Sequence, residues 1–179
     1  MSLTESEIKI YTTFDEMPIF SDVTKGFPLI QGVLDMVKGV GFSTPTLIQQ
    51  KALMPIAEGH DVIAQAQSGT GKTGAFAIGT LSRIDHSLMK PQAIVMAHTH
   101  ELASQIAGVF TRIGYKLGTR VTTAVGKRFS VEDNMRSIAS GCHVLVGTPG
   151  RLSDLVKRRV FHTNLIKVII LDEADKLLH

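Results

Sequence analysis

The sequence is poor in cysteine and has no long apolar run. Its 179 residues include a single cysteine, Cys142, so the chain cannot form an internal disulfide. This cysteine precedes an apolar segment, which indicates a small buried residue rather than a reactive thiol and favours a reducing compartment. No apolar stretch approaches the roughly 20 residues of a membrane helix, and no signal-peptide pattern is present. We therefore expect no membrane partner and a cytoplasmic location, with the nucleus as the alternative.

Charge of either sign is also modest. Charged residues make up 20% and hydrophobic residues 44% of the sequence, which is ordinary for an α/β protein. The net charge of +3 and the pI near 9.1 permit an anionic partner without requiring one. Residues 1–13 are polar and are predicted to be a flexible segment. Residues 14–179 are long enough for one domain with a substantial core.

A loop of small residues between two apolar segments is the most informative feature. Residues 62–66 have the apolar, partly β-branched pattern of a buried strand, and residues 72–86 that of a helix. Backbone N–H groups of such a loop, together with a helix N-terminus, bind phosphate. A chance glycine-rich turn is the alternative, but the strand–loop–helix order favours a nucleotide site. Its predicted residues are Gln67, Ser68, Gly69, Thr70, Gly71, Lys72 and Thr73.

Two of these residues have specific chemistry. Lys72 can reach the β- and γ-phosphates of a nucleotide, and the Thr73 hydroxyl can ligate Mg²⁺. The general pattern begins with glycine, whereas this sequence has Ala66 at that position. Gly69 and Gly71 keep the loop free to adopt unusual backbone conformations.

Strands and helices alternate along the rest of the chain. The strands are predicted at 92–97, 120–125, 143–148 and 167–172, and the helices at 29–40, 45–58, 99–116, 131–140, 149–158 and 173–178. Thr44 is the predicted N-cap of the second helix. Because the strands lack polar alternation, both of their faces should be covered. We predict a three-layer α/β fold with a parallel sheet, in which ligands bind at the carboxyl ends of the strands.

An acid pair follows the last predicted strand. Residues 168–173 read Val-Ile-Ile-Leu-Asp-Glu. Asp172 can hold Mg²⁺ through water, and Glu173 can orient or deprotonate an attacking water. Two acids at a helix start are, by themselves, better explained by the helix dipole. Together with the phosphate loop they favour phosphoryl transfer, with Lys72, Asp172 and Glu173 as catalytic candidates.

These motifs together resemble one family. Residues 172–175, Asp-Glu-Ala-Asp, and the loop at 66–73 resemble the DEAD-box RNA helicases, most closely the translation initiation factor four-A branch. Residues 41–49 are similar to the adenine-reading Q motif, and residues 148–151, Thr-Pro-Gly-Arg, to an RNA-backbone motif. The resemblance extends from about Phe14 to the end of the chain and covers the first of the family's two RecA-like domains.

The resemblance implies an ATP- and Mg²⁺-dependent enzyme that closes on single-stranded RNA and separates short duplexes. Its implied partners are RNA, a second RecA-like domain of the same protein, and translation or RNA-processing factors. Gln49 would contact the adenine edge through its amide at two points. The other residues implied on the adenine side are Phe14, Phe42 and Thr46. Thr73 and Asp172 would hold the metal. The implied RNA-binding residues are Thr99, Gly126, Thr148, Gly150 and Arg151, with Arg151 supporting the turn at Thr148 and Gly150.

Several positions depart from the family pattern. Residues 19–28 resemble a loop-sized insertion, His98 and His100 replace proline and arginine, and Lys127 replaces glycine. These changes weaken the RNA interpretation and leave the nucleotide interpretation intact. His98 and His100 lack a third ligand, so we expect solvent-exposed loop residues rather than a metal site. The alternatives are a non-enzymatic nucleotide-binding or scaffold module and a P-loop ATPase acting on DNA.

The resemblance also predicts a gap in the sheet. In the family, a later strand lies between the phosphate-loop strand and the acid-pair strand. Residues 62–66 and 168–171 are therefore each expected to lack one ladder partner. A longer polypeptide is the favoured explanation; the alternatives are a segment from another chain and direct pairing of the two strands. The family's transition-state arginine comes from the second domain, so residues 1–179 alone should hydrolyse little ATP.

Overall fold

The structure is a computed structural model that describes residues 44–126 and 129–178. The predicted helix at 29–40, the segment at 19–28, Phe14 and Phe42 lie outside the described residues, as do Lys127 and Arg128. The chain divides into two compact units. The described part of the first comprises residues 44–83 and Arg112–Leu117, and that of the second comprises residues 84–111 and 118–178 apart from the gap.

The first unit contains helices α1 (Leu47–Glu58) and α2 (Lys72–Leu81), which pack against each other. Gly79 permits their close approach, since a Cβ built there would lie 2.6 Å from Ile56 Cγ2. The buried apolar side chains of the two helices are Ala52, Leu53, Met54, Ala57, Ala75, Ala77, Ile78 and Leu81.

Helix α1 begins two residues later than the Thr44 cap predicts. Thr46 occupies the N-cap in an extended conformation, and its N–H donates to Gln49 Oε1 at 3.0 Å. A glutamine at the third helical position completes a capping arrangement from Thr46 that it cannot make from Thr44. The helix ends as expected at Gly59, whose φ of 91° places it in the left-handed region.

The predicted strand at 62–66 is wrong. The segment carries no strand, and Ile63 is 103% and Val62 36% exposed. An apolar segment becomes a buried parallel strand only where a neighbouring strand accepts its hydrogen bonds, and no described strand pairs with this one. The helix predicted at 72–86 also ends early, at Leu81. The Asp85 carboxylate instead accepts the Ser87 N–H and hydroxyl, a local turn that competes with helix.

The second unit is built on a parallel sheet, as predicted. Its strands are β1 (Ala93–Met96), β2 (Val121–Ala124), β3 (Val144–Gly147) and β4 (Val168–Leu171), in the order β2-β3-β1-β4. The register is level across the sheet, because Met96 pairs with both Gly147 and Leu171, and Gly147 pairs with Ala124. All four carboxyl ends therefore meet along one edge.

Helices α3 (His100–Gly114), α4 (Val131–Ala139), α5 (Pro149–Lys157) and α6 (Ala174–Leu177) follow the four strands. From Arg112 onward, α3 belongs to the first unit. All four residues of β3 are buried, so both faces of this strand are covered, as the fold prediction requires. One core cluster of this unit comprises Ile94, Ala124, Ile138, Cys142, Leu145, Leu152, Leu155 and Phe161.

Cys142 lies in this core, as predicted. Its thiol is fully buried and donates to the Val144 carbonyl oxygen at 3.3 Å. Burial raises the pKa of the Cys142 thiol, which keeps it protonated and unreactive.

Strand β4 is the edge of the described sheet. It pairs with β1 on one side, and Ile169 and Leu171 are 62% and 45% exposed. The alternative in which residues 62–66 pair directly with this strand is not formed. Within the described ranges, none of the helices combines the length and apolar character needed to cross a membrane.

Candidate functional site

The phosphate loop has the backbone that the sequence predicts. Gly69 and Gly71 adopt φ values of 78° and 93°, and Gly71 is the N-cap of α2. A Cβ at Gly71 would lie 2.7 Å from Thr46 Oγ1 and 2.8 Å from Gln49 Nε2. Gly71 is therefore required both by its left-handed conformation and by lack of space.

Side chains within the loop bond to its own backbone. Lys72 Nζ donates to the Ala66 carbonyl oxygen at 2.7 Å, and Thr70 Oγ1 donates to the Gln67 carbonyl oxygen at 2.7 Å. The Lys72 ammonium thus lies across the loop at the start of α2. Thr73 is the second residue of the same helix. This set of an ammonium, a hydroxyl and left-handed glycines fits a nucleotide phosphate with Mg²⁺.

Gln49 joins the α1 cap to the phosphate loop. Its side chain is fully buried, accepts from the Thr46 N–H, and donates through Nε2 to the Gly71 carbonyl oxygen at 3.1 Å. Each end of the amide therefore makes one bond inside the first unit. The adjacent Gln50 instead donates to the Pro45 carbonyl oxygen at 3.0 Å, away from the loop.

The acid pair lies at the end of β4. The Asp172 N–H donates to the Met96 carbonyl oxygen at 3.0 Å, and Asp172 Oδ1 accepts the Glu173 N–H at 3.1 Å. Glu173 has a φ of 51°, an uncommon conformation for a residue with a side chain. A hydrogen bond from Lys176, at 2.8 Å, is the main cause that lowers the pKa of the Glu173 carboxyl, which is therefore held ionised.

His98 lies in the loop between β1 and α3, as predicted, but its side chain is only 23% exposed rather than solvent-exposed. Its Nδ1 is buried and lies 3.3 Å from Glu173 Oε2, so the imidazole faces the acid pair. His100 is half-buried and is the first residue of α3 rather than part of a loop. The described residues contain no group of three or more potential metal-ligating His, Cys, Asp or Glu side chains.

The residues assigned to RNA lie at the carboxyl ends of three adjacent strands. Gly126 follows β2, Thr148 follows β3, and Thr99 follows β1. Thr99 Oγ1 accepts the Leu102 N–H at 3.1 Å at the start of α3, and the Thr148 N–H donates to the Ala124 carbonyl oxygen at 3.2 Å. The level register therefore brings these loops together along one edge of the sheet.

Arg151 is held by two hydrogen bonds to residues that follow β2. Its Nη1 donates to Asn134 Oδ1 at 2.7 Å and to the Phe129 carbonyl oxygen at 2.9 Å. A Cβ built on Gly126 would lie 3.5 Å from Arg151 Nη2, while a Cβ on Gly150 would meet no atom within 4 Å. Sequence reasoning missed Asn134, although it shares a helical face with the apolar residues of α4.

The parallel α/β fold, the glycine loop before α2 and the loops after the strands define a P-loop α/β domain with a DEAD-type acid pair. The family model for the DEAD/DEAH box helicases matches residues 46–179. The chain belongs to the DEAD/DEAH box helicase family.

Curated relatives point to one branch of that family. The chain is 42% identical over 176 residues to the ATP-dependent RNA helicase eIF4A of Yarrowia lipolytica, covering 98% of this chain and 42% of the relative. It is 46% identical over 176 residues to eIF4A of Saccharomyces cerevisiae and 42% identical over 170 residues to eukaryotic initiation factor 4A of Drosophila melanogaster. These cover 96% and 95% of this chain, and 42% and 40% of the relatives. The similarity confirms the factor four-A-like branch, and the chain spans about two fifths of each relative's length.

Solved structures agree on the fold. A DEAD box protein from Methanococcus jannaschii matches with a TM-score of 0.82 and 27% identity, covering 94% of this chain and 43% of that chain. Saccharomyces cerevisiae Dbp5 bound to RNA and ADP BeF3 matches with a TM-score of 0.76 and 31% identity, covering 94% of this chain and 40% of that chain. The predicted fold class is therefore confirmed.

Proposed function

We propose that this chain is the ATP-binding half of an ATP-dependent RNA helicase. The observation that carries the proposal is the hydrogen bond from Gln49 Nε2 to the Gly71 carbonyl oxygen. It joins the motif assigned to adenine recognition to the phosphate loop inside one compact unit. A glycine-rich turn that arose by chance would not be expected to bond to a fully buried side-chain amide such as that of Gln49.

The proposed ligand is ATP with Mg²⁺. ATP would supply the phosphoryl group, and the metal ion would neutralise the charge that develops on it. Lys72 would leave the Ala66 carbonyl oxygen and donate to the phosphates, while backbone N–H groups of the loop bind them. Thr73 and Asp172 would hold the metal. Glu173 is held ionised by Lys176, and the ionised carboxylate is the form that can accept a proton from water.

Single-stranded or duplex RNA is the proposed macromolecular substrate. The residues proposed to bind its backbone follow adjacent strands and are Thr99, Gly126, Thr148, Gly150 and Arg151. We also propose a second RecA-like domain as partner, because the eIF4A relatives are more than twice as long as this chain. We also propose translation factors as further partners, because a relative is named an initiation factor, and a cytoplasmic location.

A second candidate is a nucleotide-binding module without turnover. The pairing of Glu173 with Lys176 at 2.8 Å favours it, because an engaged carboxylate is less available to a water. His98 and His100 favour it too, since they replace residues of the family's RNA-binding pattern.

RNA-stimulated ATP turnover tests the proposal and separates the candidates. The protein carrying this chain joined to its second RecA-like domain should hydrolyse ATP faster with single-stranded RNA than without it. Glu173→Gln should lower turnover by about 10²-fold or more, whereas Glu132→Gln, an exposed glutamate on α4, should leave it unchanged. Residues 1–179 alone should show negligible turnover, because such transition-state arginines contribute on the order of 10³–10⁵ in rate.

Other outcomes of the turnover assay would support other functions. ADP binding without turnover in the joined protein would support the module without catalysis. Turnover stimulated by DNA and not by RNA would support a different P-loop ATPase. RNA-stimulated turnover by residues 1–179 alone would overturn the assignment of the second domain.

A further inference from the structure

Asn134 occupies an unusual place for an amide. It lies inside helix α4, is 2% exposed, and both ends of its side chain are bonded. Nδ2 donates to the Thr123 carbonyl oxygen at 3.1 Å, and Oδ1 accepts from Arg151 Nη1 at 2.7 Å. Asparagine is a poor helix former and its burial is costly unless both ends are satisfied. These two bonds account for its presence there.

The Thr123 end of Asn134 is an anchor on the sheet. The carbonyl oxygen of Arg120, just before β2, accepts the Val144 N–H of β3, and that of Ala124 accepts the N–H of Thr148, just after β3. Carbonyl groups of alternate residues in a strand point to opposite sides, so the Thr123 carbonyl points away from β3, on the side of β2 where the described residues place no strand. Asn134 satisfies this carbonyl and thereby fixes its own amide plane.

The other end fixes an arginine. Both Arg151 bonds, to Asn134 Oδ1 and to the Phe129 carbonyl oxygen, use Nη1. Nη2 lies beside Gly126, where a built Cβ would be 3.5 Å away. Two hydrogen bonds from one nitrogen restrain the plane of the guanidinium, so its second nitrogen stays beside Gly126. Arginine binds phosphate best when its planar fork is oriented in advance.

We propose that Asn134 is a positioning residue for RNA binding that acts through Arg151. It links the edge of β2 to the start of α5 and so orients Arg151 Nη2 toward an RNA phosphate at the Gly126 loop. This inference rests on the proposed RNA-binding function. The competing explanation is that Asn134 only braces α4 against β2.

Ser137 provides a matched control for that brace. It lies one turn further along α4, and its hydroxyl is 2.8 Å from Thr122 Oγ1 of the same strand. Ser137→Ala therefore removes a hydrogen bond between α4 and β2 that does not involve Arg151. Asn134→Leu removes both hydrogen bonds of the side-chain amide while keeping a side chain of similar size. Asn134→Asp keeps the oxygen that accepts from Arg151.

The experiment is fluorescence anisotropy of a labelled single-stranded oligouridine with the protein over a salt series, alongside calorimetry with ADP. Asn134→Leu should weaken RNA binding about five- to tenfold and lower the salt slope by roughly 0.7, as for one lost phosphate contact. Asn134→Asp keeps the acceptor for Arg151 but loses the donor to the Thr123 carbonyl oxygen, so it should bind RNA more tightly than Asn134→Leu and more weakly than wild type, and Ser137→Ala should match wild type. ADP affinity should be unchanged in all three. Asn134→Leu combined with Arg151→Met should bind no more weakly than Arg151→Met alone.

Two results would overturn the inference, and they are distinguishable. If wild type shows no salt-dependent RNA binding, the proposed function fails and the inference fails with it. If wild type binds RNA but Asn134→Leu and Ser137→Ala weaken binding equally, Asn134 is only a brace and the proposed function stands.

Discussion

Gln49 donates from its side-chain amide to the carbonyl oxygen of Gly71 at 3.1 Å, across 22 positions of the chain. The bond connects the first turn of α1 to Gly71, the N-cap of α2. It holds the start of α1 against the loop to which we assign nucleotide binding. The predictions for this unit follow from this contact.

Replacing Gln49 should disturb the loop far more than replacing its neighbour. Gln49→Ala leaves the buried Gly71 bond unmade and opens a cavity, which should cost about 1–3 kcal/mol in ADP binding. Gln50→Ala removes a bond to the Pro45 carbonyl oxygen, so ADP affinity should hardly change. Calorimetric titration with ADP measures both. Equal losses in the two variants would show that the Gln49–Gly71 bond has no special role.

The two loop glycines should differ in their tolerance of alanine. Gly69 and Gly71 both have positive φ, so a side chain at either costs roughly 1–2 kcal/mol of strain. At Gly69 a Cβ would meet no atom within 4 Å, whereas at Gly71 it would lie 2.7 Å from Thr46 Oγ1. Gly71→Ala should therefore lose ADP binding, while Gly69→Ala should weaken it modestly. Strong binding by Gly71→Ala would contradict the close packing of the loop.

Stability should fall in mild acid because of His143. Its Nδ1 accepts the Arg120 N–H at 2.9 Å, and its Nε2 is 3.2 Å from the His86 carbonyl oxygen, so the neutral ring protonated on Nε2 satisfies both partners. The ring is fully buried, and burial lowers the pKa of His143 below its usual 6.5. The charges facing it, Arg120 and a protonated His86, oppose its protonation, and the Asp85 carboxylate favours it.

The direction in which stability changes with pH follows from the lowered pKa of His143. The unfolded chain takes up a proton more readily than the folded one, so the stability from His143 is complete above about pH 6.5. It is lost as the pH falls from there through the lowered folded-state pKa. Thermal melts at about pH 7.5 and pH 5 should therefore show a smaller acid-induced drop in His143→Gln than in wild type. The exposed His162→Gln should behave as wild type, and an unchanged drop in His143→Gln would contradict the assignment.

The sequence predicted the sheet of the second unit and the loop backbone of the first. Apolar strands such as Val144–Gly147 are buried wherever they lie in a sheet, so their local pattern is sufficient. The positive φ values of Gly69 and Gly71 also follow from local chemistry. The strand predicted at 62–66 failed because a strand exists only with a ladder partner, which no local pattern reports.

The contacts that the sequence missed are long-range side-chain contacts. His98 meets Glu173 across two adjacent strands, β1 and β4, a pairing that depends on strand order. The sequence contains one indication of the role of Asn134, because Val131, Asn134 and Ile138 share one face of a helix. A polar residue on an apolar face needs a hydrogen-bond partner. The identity of that partner, Arg151, becomes visible only when the end of β2 and the start of α5 are placed together.

The most direct test of the account is a calorimetric titration of the protein with ADP and Mg²⁺, comparing wild type with Lys72→Ala. Lys72 lies across the loop with Nζ 2.7 Å from the Ala66 carbonyl oxygen, positioned to donate to a bound phosphate instead. The account predicts that wild type binds ADP and that Lys72→Ala weakens binding by about 1.5–3 kcal/mol, roughly ten- to 150-fold. Lys51→Ala, on α1, should leave the affinity unchanged. Identical ADP affinity in wild type and Lys72→Ala would contradict the assignment of this loop as the nucleotide site.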